Sequence, residues 1–244
     1  MRKTYHSSIF FPSDKNELLE LVEKKEKKEP KKAIIVPHQD LRRAYQSYAE
    51  AFRYIPDGKK LIAIVPLHSP SLQSDKDSIV YEPEEMDIET PIGQVHLHSL
   101  GLKKCEHYMQ EEFSAEIILP FVQVCAPSSI LSIVIARLEN AEDSKKLAKL
   151  IERWNDEDTF FIISSNLSAR MNDIDELKKE KEKALSALLG GEKLLDSYRK
   201  GRIGICASAI IDALSRVIKG RWKLVHDQND DTTTGHASLY KEEE

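Results

Sequence analysis

Two histidines in this chain stand where α/β proteins do their chemistry. His38 follows the apolar run Lys32–Val36 (KAIIV) and one proline, and His68 comes two residues after Pro66, which closes Leu61–Val65 (LIAIV). A short apolar run bounded by proline reads as a strand buried on both faces. In open α/β sheets, ligands bind outside the carboxyl ends of such strands. An imidazole at that edge suits a metal ligand. The run Thr159–Ile163 (TFFII) ends in Ser164, Ser165 and Asn166, and Asp40 and Ser69 follow the two histidines, so all can reach one crevice. Neither histidine sits in a local metal motif such as HExxH, and a hydrogen-bonded loop histidine is the competing reading. His96 and His98 alternate on a predicted strand and read as an exposed strand face. Cys206 lies near a predicted helix N-terminus, where a thiolate is favoured, yet it also fits an apolar stripe as a packed cysteine.

Helix and strand signals alternate between these points. Asp14 and Glu17 have capping-box spacing and open a helix expected to run to Glu29, stopped by Pro30. Leu41–Arg53 is helical in pattern. Glu111–Leu119 reads as a helix that runs up to Pro120. Ile130–Ala136 (ILSIVIA) is a further buried strand, and Ser144 is the expected cap of the helix carrying Leu147, Leu150, Ile151 and Trp154. Asp173–Leu189 is a long charged helix broken by Gly190 and Gly191, with a short helix following to about Lys200. Gly204–Lys219 is expected as a helix whose stripe runs from Cys206 to Val217. The stretch from Ser69 to Leu102 reads as loops with one edge strand or hairpin arm, Gln94–His98. Trp222–His226 and Ala237–Tyr240 are closing strands. Together these define an α/β fold, with a mostly buried mixed or parallel sheet covered by helices on both faces, as a single domain over residues 1–244.

Composition narrows the function. The 244 residues carry a formal net charge of -5, which argues against a nucleic-acid partner, since phosphate contacts need a basic face. Three widely spaced cysteines, Cys105, Cys125 and Cys206, imply no disulfide framework. The opening MRKTYHSS lacks an apolar segment and no run approaches the roughly 20 residues that span a bilayer, so no membrane association and a cytoplasmic location are expected. Dinucleotide, P-loop and GxSxG signatures are absent.

Several segments, in order and covering nearly the whole chain, resemble the Memo family. Ser8–Pro12 (SIFFP) resembles its GSFYP opening, Ile35–His38 its IxPHAG segment and Val65–His68 its GPSH segment. Thr90–Gly93 (TPIG) matches TPLG. Glu112–Glu116 with Leu119–Phe121 resembles EHSxExxLPF, Ile163–Ser168 resembles VSSDxSH, and Ile205–Ala207 resembles the segment around the family's CG. The resemblance implies a fold like that of class III extradiol dioxygenases and a cavity ligated by His38, His68 and Cys206. It also implies iron or copper there, with zinc less favoured, because imidazole and thiolate suit these ions and not magnesium or calcium. Asp40, Glu112, Glu116, Ser165 and Asn166 are the implied cavity or supporting residues.

The departures from the family pattern fall around these ligands. Phe113 replaces the histidine of EHS, Asn166 and Ala169 replace the aspartate and histidine of SSDxSH, and Ala207 replaces a glycine. These losses imply a thinned hydrogen-bonding surround and lost acid–base groups. A second reading follows from them: a catalytically silent member with no cofactor that binds a protein or peptide partner at the cavity, where Arg42 and Arg43 would face an anionic group. An extradiol dioxygenase proper is disfavoured, since that chemistry places a carboxylate where Cys206 would stand.

Overall fold

The computed structural model describes the chain apart from residues 23–24, 69–77, 169–172, 229–234 and 243–244. The first half holds β1 (Arg2–Lys3), α1 (Lys15–Leu21), β2 (Ala33–Val36), α2 (Leu41–Ala51) with a 3-10 turn at Phe52–Tyr54, and β3 (Lys60–Pro66). Short strands follow: β4 (Val80–Glu82), β5 (Asp87–Thr90), β6 (Gly93–His96) and β7 (Lys103–Lys104). Next come α3 (Glu106–Glu111), α4 (Ser114–Cys125), β8 (Ile130–Ala136), α5 (Ala141–Trp154) and β9 (Thr159–Ser164). The last part comprises α6 (Ile174–Leu189), α7 (Leu194–Arg199), α8 (Ser208–Val217), β10 (Arg221–Gln228) and β11 (His236–Glu242).

The main sheet has the order β10-β11-β2-β9-β3-β8-β4-β7. Its centre, β2-β9-β3-β8, is parallel. Strand β4 returns antiparallel to β8, and β11 pairs antiparallel with β2. Successive residues of the central strands enter opposite cores. Ile34, Val36, Leu61, Ala63, Val65 and Ile162 pack with α1, α2 and α4. Ile35, Ile62, Ile64, Phe161 and Ile163 pack with α5 to α8. Both faces are therefore covered, which is why these strands read as unbroken apolar runs. A second sheet, β1-β5-β6, contains the hairpin expected near Gln94–His98. Among the described residues no helix is long and apolar enough to cross a membrane.

Four local expectations need correction. Helix α1 ends at Leu21, not Glu29, because the Lys/Glu run beyond Val22 offers no apolar face. Lys25 instead pairs with Glu50, and Lys27 donates to the carbonyls of Phe52 and Ile55. Pro120 lies inside α4 rather than ending a helix. The proline removes one backbone bond, and burial of almost every side chain of α4 holds the helix together. Asn140, not Ser144, caps α5, and the Ser144 hydroxyl donates to the Ala209 carbonyl of α8 at 2.9 Å. Helix α8 begins at Ser208, so Cys206 lies before it and not on its stripe.

Two predictions arise here. Tyr48 is fully buried, stacked on Phe52 and Phe121, and its hydroxyl has no hydrogen-bond partner among the described residues. An unpaired buried hydroxyl costs about 1–3 kcal/mol. Tyr48→Phe should therefore raise stability by about 1 kcal/mol in denaturant unfolding, and a clear loss would mean the hydroxyl is paired. His226 of β10 meets Ser47 of α2, its Nδ1 3.0 Å from the hydroxyl. Burial holds its pKa below the ordinary value, with Glu50 and Asp227 pulling it up and Lys25 and Lys181 pulling it down. The native state thus binds this proton less well than the unfolded chain. The His226 contribution is present above the ordinary histidine pKa of about 6.5 and is lost as pH falls towards the lowered native value. Thermal unfolding from pH 8 to pH 5 should show wild type losing more stability than His226→Gln. Parallel curves would refute this.

Candidate metal centre

The parallel register brings the predicted residues to one edge. β9 lies between β2 and β3, with Val36 opposite Ser164 and Ile64 opposite Ile163. His38 and His68 therefore emerge on either side of the β9 terminus. Their rings are 4.7 Å apart, centre to centre, at 76°. The loop before α8 delivers Cys206, whose Sγ is 3.4 Å from His38 Nε2. His38, His68 and Cys206 each offer one ligand atom, and these atoms lie within 4.8 Å of one another. His38 is buried, Cys206 is half-buried and His68 faces the solvent side.

Each donor is held from behind. His38 Nδ1 meets the Ser164 hydroxyl at 2.9 Å, which leaves Nε2 towards the thiol. His68 Nδ1 lies 2.9 Å from Glu112 Oε2, and the His68 backbone N–H donates to the same oxygen at 2.9 Å. The other Glu112 oxygen accepts from the Ser114 hydroxyl at 2.5 Å and its N–H at 3.2 Å. Asn166 donates its backbone N–H to the Cys206 sulfur at 3.2 Å. Its side-chain amide accepts from the His38 N–H and donates to the His38 carbonyl, a two-way clamp that a carboxylate cannot make. Ser165 accepts from the Ala207 N–H and lies 3.6 Å from the sulfur. The thinned surround implied by Phe113 and Asn166 is thus corrected: Ser164, Glu112 and Asn166 supply the hydrogen bonds. Ser69 and Ala169 lie outside the described residues.

The charges follow from this packing. Burial alone would raise the Cys206 pKa, but the His38 and His68 rings outweigh it and hold the thiol well below its ordinary value. Burial would likewise lower the His68 pKa, yet hydrogen bonds to Cys206 and Glu112 raise it to about 10. Glu112, whose carboxyl burial would push up, is held down by His68. A thiolate, two oriented imidazoles and a buried carboxylate behind one of them fit a soft or borderline transition metal.

The remaining predicted residues lie elsewhere. Asp40 caps α2 by accepting from the Arg42 N–H. Glu116 accepts from Arg2 and from the His6 N–H, tying down the N-terminal segment and taking no part in the His–His–Cys cluster. Arg42 pairs with Glu17 and Asp40. Phe113 stacks on Phe10 with centroids 3.9 Å apart and stands edge-on to His38 at 5.8 Å. It walls the site where the resemblance would place a titratable group. Sequence reasoning gave no role to Phe10 or Ser114. Both lie in segments that resemble the family's motifs; Phe10 meets Phe113 only through the fold, whereas Ser114 bonds Glu112 two residues before it.

Two imidazoles and a thiol gathered at the carboxyl edge of a parallel α/β sheet define a protein with a strand-end cavity able to hold a metal. The chain belongs to the Memo-like family, described as "Memo-like protein", whose model matches residues 2–238. The sheet and its helical layers agree with the fold this membership implies. Among curated proteins none matches the chain. The solved structure of an uncharacterized protein from Escherichia coli K12 is similar to it at 10% identity, with a TM-score of 0.43, covering 85% of this chain and 98% of that one.

Proposed function

We propose that this chain is a redox-active metal protein that binds iron or copper through His38, His68 and Cys206. The observation carrying this reading is the convergence of three ligand atoms within 4.8 Å, two of them on rings whose other nitrogen is already engaged. Three protein ligands leave a coordination position open, which is the arrangement of a reactive rather than a structural site. A bound ion would supply Lewis acidity and, as iron or copper, one-electron chemistry. The chain's own part is to orient His38 through Ser164, to orient His68 through Glu112, and to hold Cys206 as a thiolate. Phe113 excludes water from one side without handling a proton.

The test is elemental analysis of protein purified anaerobically without a metal-affinity tag, beside His38→Ala and Cys206→Ser. Near-stoichiometric iron or copper should appear in the wild type and vanish from both variants. Wild type that takes up neither anaerobic Fe(II) nor Cu(I) would overturn the reading. The cavity would then stand as a metal-free site for a protein or peptide partner.

A further inference from the structure

The ring of Phe113 touches both histidines of the cluster, and Phe10 lies behind it. Ser164 and Glu112 each hold one nitrogen of His38 and His68. Such a bond fixes one atom of an imidazole but lets the ring tilt, because the last side-chain torsion of histidine is a broad one. Phe113 restricts that tilt on both rings at once. It stands edge-on to His38 at 5.8 Å and 89°, and nearly parallel to His68 at 6.3 Å and 21°. These angles match the 76° at which the two imidazoles meet.

Phe113 is in turn backed by the N-terminal segment. Phe10 stacks on it with centroids 3.9 Å apart and planes at 6°, and His6 meets both rings edge-on. The segment is pinned on either side of this stack. Arg2 pairs with Glu106 and Glu116, and the His6 N–H donates to Glu116. The Phe10 carbonyl accepts from the N–H of Leu41, three residues past His38, at 2.8 Å. Between these anchors Ser8 adopts a φ of 70°, and its N–H donates to the Phe11 carbonyl at 2.7 Å. That is the left-handed region, and the GSFYP opening that this segment resembles has glycine there. A strained residue persists only where its surroundings over-determine it. The turn leaves Ile9 63% exposed and packs Phe10 against the core. We propose that Phe10 is a positioning residue for His38 and His68, acting through Phe113. This rests on the metal-site reading for its purpose and adds the part of the chain that sets the geometry of the ligands.

The test observes the rings themselves, by NMR of the full, metal-free chain carrying isotope-labelled histidine, at one fixed pH. The Hε1 resonances of His38 and His68, assigned with His38→Gln and His68→Gln, report their placement against the Phe113 ring. His226, which meets Ser47 and lies outside the cluster, is the control. Phe113→Leu gives the positions without that ring. In Phe10→Ala, and independently in Phe10→Leu, which keeps bulk without a ring, both resonances should move towards those positions while His226 stays. Phe10→Tyr keeps the stack and should leave them in place. If either histidine stays unmoved in both folded variants and only the unfolding midpoint falls, Phe10 is a packing residue and the proposal is overturned. Movement in Phe10→Tyr overturns it too. In metal-loaded protein, chelator competition should show several-fold weaker binding in Phe10→Ala and Phe10→Leu, and equal affinity would count against it in the same way. Wild type that takes up no metal removes the metal-site reading, while the ring positions still decide this one.

Discussion

Glu112→Gln should weaken metal binding about 10–100-fold, the usual effect of losing the group that orients a ligating histidine. Glu112 is 0% exposed and makes four contacts, two to His68 and two to Ser114. Its carboxylate accepts from His68 Nδ1 and so keeps a proton there, leaving Nε2 as the nitrogen that would face a metal. The amide keeps the shape but removes that bias, so affinity falls further than stability. Glu112→Ala goes further still. It leaves the N–H groups of His68 and Ser114 and the Ser114 hydroxyl without their acceptor, at about 1–3 kcal/mol for each group left buried and unpaired. Chelator competition gives the affinities, and unfolding of metal-free protein gives the stability. Unchanged affinity in Glu112→Gln would show that the carboxylate serves the fold alone.

Arg2→Ala should cost about 3–5 kcal/mol, because it strands a buried carboxylate. Arg2 Nη1 lies 2.6 Å from Glu116 Oε1 and Arg2 Nε lies 2.7 Å from Glu106, with the Glu116 side chain 0% exposed. Among the described residues the remaining partner of the Glu116 side chain is the His6 N–H at 3.0 Å. A neutral amide can still accept that bond, so Arg2→Ala/Glu116→Gln should recover most of the loss. Urea unfolding of the single and double variants reads this directly. A single variant within about 1 kcal/mol of wild type would mean that water reaches the carboxylate and the pair is a surface one.

The parts of the fold that were legible from sequence share one property. β2, β3, β8 and β9 are buried on both faces, so each appears as an apolar run whose identity needs no knowledge of its neighbours. His38 and His68 were legible because the proline-ended runs place them at strand termini. The short strands β4, β5 and β7 were not legible, since two to four residues carry too little pattern and depend on their partners. Pro120 misled because local sterics predict a stop, while the packing of α4 between sheet and α2 is a tertiary effect. Cys206 was read as part of a helix stripe from its spacing to Ile210. The actual start of the helix at Ser208 frees the thiol to turn towards the histidines. The resemblance implied Glu112 as a cavity or supporting residue, but which histidine it holds could not be read: its partner His68 lies 44 residues away, and only the fold joins them.

The place of β11 bears on how the chain acquires this structure. It lies inside the sheet, between β10 and β2, although it is late in sequence. During synthesis β2 leaves the ribosome early, and one of its edges has no partner until residues 236–242 follow. Chains paused before that point present an apolar, unpaired strand edge, the kind that recruits other strands. Native pairing of β2 with β11 therefore closes in a late, non-local step.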